Sequence, residues 1–190
     1  NSSGKMGFAI AESLANQGAK VTLVTGPTHL TMSHPGIEVK RVTSAQEMYE
    51  ACQKVFKDAD ITVLSAAVAD YRPAQAAPQK IKKTEQDLAI QLVKTPDIAA
   101  ELGKQKKNGQ RIVGFALETE NEESNAKKKI EAKNFDLIVL NSLNDSGAGF
   151  GHDTNKISVI NRKGEIKKFS LKSKKDVAAD IVNAIVSLYD

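Results

Sequence analysis

Short apolar segments alternate with amphipathic segments along this chain, and the alternation limits the folds that the chain can adopt. Residues 61–64 (Ile-Thr-Val-Leu) form an apolar run typical of a strand buried on both faces of a parallel sheet. Further strands are predicted at 20–25, 37–42, 88–93, 111–117 and 137–141. Helices are predicted between them, at 4–18, 45–59 and 122–133.

The C-terminal part of the chain departs from this alternation. Segments 156–161 and 165–170 are predicted to pair as a hairpin across Arg162-Lys163-Gly164. An amphipathic helix follows, capped at Ser173, with Val177, Ile181, Ile185 and Leu188 facing inward. We therefore predict an α/β fold, a Rossmann-like parallel sheet flanked by helices, with a C-terminal β-hairpin and helix.

Two further helix starts are marked by their residues. Ser44 and Glu47 have the spacing of a capping box. In the sequence Thr95-Pro96-Asp97, Thr95 is the predicted N-cap, Pro96 suits the first turn and the Asp97 carboxylate suits the helix dipole. These residues predict that a helix begins soon after strand 88–93.

Composition predicts one soluble domain in the cytoplasm. The chain has 190 residues, of which 41% are hydrophobic and 26% charged, as in ordinary globular proteins. No apolar run approaches the roughly 18–20 residues that cross a bilayer, and no signal-peptide pattern is present, so we expect no membrane partner. The single cysteine, Cys52, lies at helical spacing from Met48; we predict a core thiol in a reducing compartment.

The net charge of +4 has two interpretations, nucleic-acid binding or a site for small anions. The chain has three Tyr and no Trp, and no helix-turn-helix, zinc-finger or RNP pattern occurs, so we predict no nucleic-acid partner. His29, His34 and His152 lack metal-ligand spacing, so we predict no metal site built by the protein.

The segment after strand 61–64 carries the chemistry. It contains small residues, Ala66 and Ala67, then the carboxylate of Asp70, then Lys80-Ile81-Lys82-Lys83. Ligands of open α/β sheets bind beyond the carboxyl ends of the strands, and lysines neutralise phosphate charge. This pattern indicates a nucleotide bound with its phosphates, although a basic cluster can also be a solvated surface.

The first residues favour a phosphate cradle. Residues 2–7 (Ser-Ser-Gly-Lys-Met-Gly) open a helix whose free N–H groups suit an anion, although the same residues are also good caps. They match neither a Walker A motif nor GxGxxG, and no Tyr-x-x-x-Lys pair occurs. This argues against a nicotinamide dehydrogenase.

Three other features keep two interpretations each. Phe115 could stack on a base or fill the core. Lys129 and Lys133, four residues apart on a helix, could extend a basic site or be surface residues. The Gly147–Gly151 loop could cover a site or be a flexible turn.

Taken together, these segments resemble the phosphopantothenate–cysteine ligases of coenzyme A biosynthesis. The resemblance spans the whole chain, and six motifs in order make it specific. In chain order they are Ser2-Ser3-Gly4-Lys5-Met6-Gly7, Ala66-Ala67-Val68-Ala69-Asp70-Tyr71, Lys80-Ile81-Lys82-Lys83, Lys94-Thr95-Pro96-Asp97-Ile98, Gly114-Phe115-Ala116-x-Glu118-Thr119 and Lys133-x-x-Asp136-x-Ile138-Val139-x-Asn141.

The resemblance implies a two-step ligation. The carboxylate of 4'-phosphopantothenate attacks the α-phosphate of a nucleotide, CTP in most bacterial members, to give an acyl-nucleotidylate and pyrophosphate. The amine of L-cysteine then displaces the nucleoside monophosphate. CTP (or ATP) is the co-substrate, and Mg²⁺ is expected to bind through the nucleotide phosphates.

The resemblance also assigns roles to residues. Lys80 matches the catalytic lysine, and Asp70 matches the residue that recognises the base. Ala66 matches a nucleotide contact, Ala67 a substrate contact, and Asn1 lies at the x position of the family pattern Asn-x-Ser-Ser-Gly, whose Asn binds the acyl intermediate. The remaining nucleotide-binding residues implied are Ser3, Gly4, Lys5, Pro96, Asp97, Ile98, Ala99, Phe115, Lys129 and Lys133.

Three expectations concern the whole assembly. Residues 1–190 form a single nucleotide-binding ligase domain that lacks its first strand and loop, because the chain opens inside a working loop. The family implies a homodimer with the 4'-phosphopantothenate site at its interface, and in bacteria often a flavin-dependent decarboxylase fused upstream. The alternatives are a nucleotide-binding regulatory domain without turnover and an NAD(P)-binding oxidoreductase.

Overall fold

The computed structural model describes residues 3–75, 79, 81, 89–118, 121–142 and 153–189. Its helices are α1 (Lys5–Asn16), α2 (Ala45–Phe56), α3 (Ile98–Gln105), α4 (Glu122–Ala132) and α5 (Lys174–Val186). Its strands are β1 (Val21–Thr25), β2 (Ile37–Arg41), β3 (Ile61–Leu64), β4 (Tyr71–Pro73), β5 (Leu92–Lys94), β6 (Arg111–Glu118), β7 (Leu137–Ser142), β8 (Thr154–Asn155), β9 (Ile157–Asn161), β10 (Ile166–Lys168) and β11 (Lys172–Ser173).

The central sheet has five strands in the order β10-β9-β7-β6-β3. Strands β3, β6 and β7 are parallel, and the hairpin β9–β10 adds two antiparallel strands at one edge. Strands β1 and β2 form a separate parallel pair. The predicted α/β fold, with its parallel strands, flanking helices and C-terminal hairpin and helix, is therefore confirmed.

Two local predictions are wrong. The strand predicted at 88–93 is found at Leu92–Lys94, because that segment pairs with β4. Strand β4 itself was not predicted, since its three residues are exposed and show no clear alternation. The N-cap of α3 is Asp97 rather than Thr95: its backbone is extended and its carboxylate accepts a hydrogen bond from the Ala100 N–H. The two-residue strands β8 and β11 were not predicted.

The sheet separates two apolar clusters. Val113, Leu137 and Val139 point to one face, where they meet Ile10 of α1 and Ile181 of α5. On the other face Ile112, Ile138 and Leu140 meet the buried residues Leu102 of α3 and Ile130 of α4. Strands buried on both faces explain why these segments are apolar without alternation.

A mostly buried carboxylate, Asp136, connects several elements at the edge of the sheet where β6 and β7 begin. Its side chain is 15% exposed, and Oδ2 lies 2.8 Å from Nζ of Lys106, whose side chain is 11% exposed. The same oxygen accepts a hydrogen bond from the Ile112 N–H at 2.7 Å. The Arg162 N–H donates to the Asp136 carbonyl at 3.1 Å. One residue thus joins α3, β6, β7 and the hairpin.

Two glycines allow close packing. A Cβ at Gly103 in α3 would lie 2.1 Å from the Lys133 carbonyl oxygen, and a Cβ at Gly114 in β6 would lie 2.1 Å from Cε2 of Phe135. Both separations are far below van der Waals contact, so these positions accept no side chain without movement. None of the helices in the described ranges is long and apolar enough to span a membrane.

Gly103→Ala tests the approach of α3 to the end of α4. Alanine normally favours a helix interior over glycine by about 1 kcal/mol, but here the clash with backbone should dominate and cost about 1–3 kcal/mol of unfolding free energy. Urea denaturation monitored by circular dichroism measures the change.

Gly26→Ala is the matched control, because its Cβ would meet only Cε of Met48 at 3.8 Å. It should leave the urea midpoint nearly unchanged. Equal midpoints for the two variants would contradict the packing described here.

Candidate functional site

The first turn of α1 lies against the carboxyl end of β3. A Cβ at Gly7 would be 3.0 Å from Oγ of Ser65, the residue that follows β3. This contact brings Gly4 and Lys5 to the edge of the sheet from which the chain continues into Ala66. The start of α1 and the backbone that leads into Ala66 therefore lie at the same edge, where ligands of such sheets bind.

The start of α1 has the features of an anion site. Gly4 is the N-cap with φ of 80°, a left-handed conformation that suits glycine, and it has no side chain with which to cap the helix. No acidic residue belongs to the first turn, and the positive end of a helix dipole favours an anion. The Lys5 N–H donates a long hydrogen bond, 3.5 Å, to Ser3 Oγ.

The loop after β1 supports this turn, and sequence analysis did not identify it. Thr28 donates from Oγ1 to the Ser3 carbonyl at 3.0 Å, and Leu30 packs 3.8 Å from the position of a Gly4 Cβ. Arg41 donates to the carbonyls of Thr28 and Leu30. The sequence Gly26-Pro27-Thr28 indicates a turn, but it does not indicate that this turn supports the start of α1.

Lys5 has a carboxylate partner. Its Nζ lies 2.5 Å from Oδ1 of Asp153, and the Lys174 N–H donates to the Asp153 carbonyl. Burial lowers the pKa of Lys174, and the charge of Lys5 lowers it further against the opposing effect of Asp153. The starts of α1 and α5 therefore meet in a cluster of two cations and one anion.

A second region of the site is a cavity of about 360 Å³. It is lined by Asp70, Tyr71, Lys94, Thr95 and Asp97. Asp70 and Asp97 were predicted from sequence, and the structure brings them together because the Thr95 N–H donates to the Asp70 carbonyl at 2.8 Å. No contact recorded among the described residues joins this cavity to the start of α1.

Tyr71, Lys94 and Thr95 were not predicted as site residues. Tyr71 and Lys94 are paired across β4 and β5, so the unpredicted strand pair explains why they were missed. The Thr95 hydroxyl is buried and has no hydrogen-bond partner in the described part of the chain. A buried hydroxyl without a partner is costly, which makes it a candidate to bond a ligand.

Lys133 joins Asp97 at this cavity. Its Nζ lies 2.9 Å from Oδ2 and 3.2 Å from Oδ1 of Asp97. Partial burial acts to raise the pKa of Asp97, but hydrogen bonds from the Ala100 N–H and from Lys133 outweigh it and leave the pKa below its ordinary value. Asp97 is therefore a carboxylate at neutral pH, and Lys133 neutralises it.

The other predicted residues differ in what they can offer a ligand. Ala66 and Ala67 are exposed just beyond β3, while the Ile98 side chain is buried in the core. Pro96, Ala99 and Lys129 are half-buried. Ile98 can therefore contact a nucleotide only through its backbone.

Phe115 packs, partly buried, against the cluster that contains α1 and α5. Of its two interpretations the structure shows core packing, and its role as a nucleotide contact stays a prediction. Several other predicted features lie outside the described residues, so the structure does not place them: Asn1, Ser2, Lys80, Lys82, Lys83 and the Gly147–Gly151 loop.

Another concave region, about 760 Å³, lies along α4 and is lined by three glutamates, two lysines, Asn121 and Ser124. Its charges are mixed, so it has no clear preference for an anion. We therefore place the site at the Asp70 cavity and the start of α1.

Residues 1–189 match the family described as the DNA/pantothenate metabolism flavoprotein C-terminal domain. The chain belongs to this family. The prediction made from the six motifs is confirmed by this match, together with relatives named for coenzyme A biosynthesis.

Two relatives and one solved structure show the extent of the likeness. The chain is 52% identical over 98% of its length to a cysteine/cysteine sulfinic acid decarboxylase from an unknown prokaryotic organism, covering 52% of that protein. It is 45% identical over its full length to the coenzyme A biosynthesis bifunctional protein CoaBC of Haemophilus influenzae, covering 46% of it. The crystal structure of the C-terminal domain of a CoaBC protein superimposes with a TM-score of 0.82 at 38% identity, covering 99% of this chain and 84% of that one.

The chain thus spans about half the length of the curated relatives that it matches. Two motif residues of the family have structural roles in this fold. Asp136 forms the ion pair with Lys106. Asn141 accepts a hydrogen bond at 3.1 Å from Asn155, whose exposure is only 2%.

Cys52 is partly buried in α2 and does not line the Asp70 cavity. It packs against the cluster on the α3 and α4 face, and burial raises the pKa of its thiol. The prediction of a core thiol agrees with this position.

Alkylation by iodoacetamide tests the state of Cys52. Because the thiolate is the reactive form and a raised pKa lowers its population at a given pH, the native protein should react several-fold more slowly than the urea-unfolded chain. The pH at which the alkylation rate rises should be higher for the native protein than for the unfolded one. Equal rates in both states at pH 8 would show that the thiol is not protected.

Proposed function

We propose that this domain joins 4'-phosphopantothenate to L-cysteine through an acyl-nucleotidylate, as a phosphopantothenate–cysteine ligase of coenzyme A biosynthesis. Membership of the family and the relatives named for coenzyme A biosynthesis support the proposal. The observation that carries it is the edge of the sheet beyond β3. There the glycine-capped start of α1 packs against Ser65, the residue from which the chain continues towards Asp70 and its cavity.

In the first step the carboxylate oxygen forms a bond to the α-phosphorus, and the bond to pyrophosphate breaks. Negative charge spreads over the phosphoryl oxygens, so fixed cations and N–H groups accelerate the step. The start of α1, with Ser3, Gly4 and Lys5, and the ammonium of Lys133 are the described groups suited to this charge. Lys80, which lies outside the described residues, is proposed as the catalytic lysine that stabilises the acyl-phosphate.

In the second step the amine of cysteine attacks the activated carbonyl. The new C–N bond forms as the bond to the nucleoside monophosphate breaks, and the amine loses its proton. Exclusion of water from the site protects the acyl-nucleotidylate from hydrolysis. Ala66 and Ala67 leave the backbone beyond β3 open to the substrate, since their side chains end at Cβ.

Nucleotide choice is proposed to depend on the Asp70 cavity. The Asp70 carboxylate can accept from the amino group of a base or from ribose hydroxyls, and the buried Thr95 hydroxyl can donate or accept. Lys94, exposed at the same cavity, can contact an anionic group. We propose CTP as the co-substrate, with ATP as the alternative.

Mg²⁺ is proposed to enter with the nucleotide. Within the described ranges no group of three His, Cys, Asp or Glu side chains is arranged to hold a metal ion, and Asp97 is neutralised by Lys133. The phosphates would therefore supply most of the ligands, as is usual for this ion. The ion would offset the charge of the triphosphate.

Two wider features stay proposals. One relative is named a decarboxylase and others bifunctional proteins, which supports a flavin-dependent decarboxylase fused upstream in the whole protein. A cytoplasmic location fits a soluble metabolic enzyme. No observation favours the regulatory domain or the oxidoreductase.

Pyrophosphate release tests the proposal, using the chain within its full-length protein. Release from CTP should require 4'-phosphopantothenate, and the acyl-nucleotidylate should accumulate when cysteine is omitted. Parallel reactions with ATP establish the nucleotide. Nucleotide binding without any 4'-phosphopantothenate-dependent release would refute the ligase and favour a regulatory domain.

We also propose that the protein is a homodimer formed through β4 and β5. A two-stranded antiparallel sheet is marginally stable alone, yet this one exposes Tyr71 at 54%, Leu92 at 55% and the adjoining Ile90 at 58%. Exposed apolar side chains on and beside one strand pair are typical of an interface. Since Tyr71 also lines the cavity, pairing of two copies there would place the interface beside the site.

Leu92→Asp tests the interface. The buried charge should shift the protein from twice the chain mass towards the monomer in sedimentation equilibrium, and ligase activity should fall with it. Val186→Asp is the control, since Val186 is exposed to a similar degree, 48%, but lies on α5. A monomeric parent protein, or dissociation by both variants, would count against the proposal.

A further inference from the structure

The contact between Asp97 and Lys133 joins two elements that are distant in sequence. Asp97 is the N-cap of α3, and Lys133 is the residue at which α4 ends. Both oxygens of the carboxylate lie within 3.2 Å of the ammonium. The side chain of Lys133 is 30% exposed and that of Asp97 is 50% exposed, so the pair lies at the wall of the cavity rather than inside the core.

The framework holds both partners in place. The Asp97 carboxylate also accepts from the Ala100 N–H at 3.0 Å, which fixes its rotamer. The backbone of Lys133 packs directly on Gly103, and the Asn134 side chain donates to the Gly103 carbonyl at 2.9 Å. The relative position of α3 and α4 is therefore set by these contacts and does not depend on the ion pair.

The pair itself contributes little to stability. Ion pairs with this exposure are close to neutral in folding, and asparagine would cap α3 as well as aspartate. What aspartate adds is a negative charge aimed at one ammonium. Lysine has a long flexible stem that loses rotamer freedom when it binds an anion, and a partner that orders it beforehand removes part of that cost.

The ordered ammonium remains able to bind a ligand. It has three N–H donors, and the two oxygens of Asp97 occupy at most two of them. Asp97 lines the same cavity as Asp70, and the Lys133 ammonium, 2.9 Å from Oδ2 of Asp97, therefore lies next to that part of the cavity wall.

We propose that Asp97 is a positioning residue, whose carboxylate holds the Lys133 ammonium ready for a phosphate of the nucleotide. The inference rests on the proposed function, because it takes the cavity to be the nucleotide site. It makes a prediction opposite to that of simple electrostatics. Removal of a nearby negative charge would by itself tighten the binding of a triphosphate, whereas loss of a positioning carboxylate weakens it.

The test is a double-mutant cycle on the full-length protein with Asp97→Asn, Lys133→Gln and both together. Asp97→Asn should raise the KM for CTP roughly 2- to 10-fold with a smaller effect on kcat, and its melting temperature should stay close to that of the parent. Lys133→Gln should raise KM further. The double variant should match Lys133→Gln, because Asp97 acts only through Lys133.

Glu101→Gln is the matched control. It removes a carboxylate from the first turn of the same helix, and its partner is Lys104 rather than Lys133. Its KM should be unchanged or slightly lower. A similar rise in KM for Glu101→Gln and Asp97→Asn would show a general charge effect and overturn the proposal.

Two further outcomes are decisive. An unchanged or lower KM for Asp97→Asn, or additive effects in the double variant, would overturn the positioning role while the ligase stands. If the parent protein has no ligase activity, the proposed function fails, and calorimetric titration of the same four proteins with CTP tests the inference. Equal affinity of the parent and Asp97→Asn, or no binding by any of them, would then overturn it.

Discussion

The carboxylate of Asp136 is the interaction on which the rest of this fold depends. It accepts from the backbone of β6 and from Lys106 at the end of α3, immediately before β7 begins. Both side chains are mostly removed from water, so loss of either partner would leave a buried charge, at a cost of about 3–5 kcal/mol. The parallel register of β6 and β7 and the position of α3 are thus fixed at the edge opposite the site.

The candidate site depends on this framework, because the strands beside it, β4 and β5, have only three residues each. With the strands aligned at that edge, the carboxyl end of β3 lies beside Gly114 of β6, which continues to Glu118, and the first turn of α1 packs against Ser65, just after β3. Charged groups there are paired by the fold: Lys5 with Asp153, and Lys133 with Asp97. The fold therefore presents cations whose positions are already restricted before any ligand arrives.

Strands were predicted correctly where a continuous apolar run indicates burial on both faces of the sheet. Segments such as 111–117 and 137–141 have no polar alternation, and they are the central strands. Prediction failed for β4 and β5, whose side chains are mostly exposed and whose pairing depends on contacts distant in sequence. Tyr71, Lys94 and Thr95 were missed for that reason. Asp70 was predicted from its position beyond strand 61–64 and Asp97 by resemblance, but no local rule indicates that two carboxylates 27 positions apart share a cavity.

The separation of the core by the central sheet has a thermodynamic consequence. Side chains such as Val139 and Ile181 lie on one side, while Ile138 and Ile130 lie on the other, and the strand backbones stand between them. Cavities opened on opposite sides share few neighbours, so their free energies should sum, whereas two cavities on one side should couple. The molecule therefore has two half-cores. A substitution in one should lower the free energy of unfolding without changing the contribution of the other.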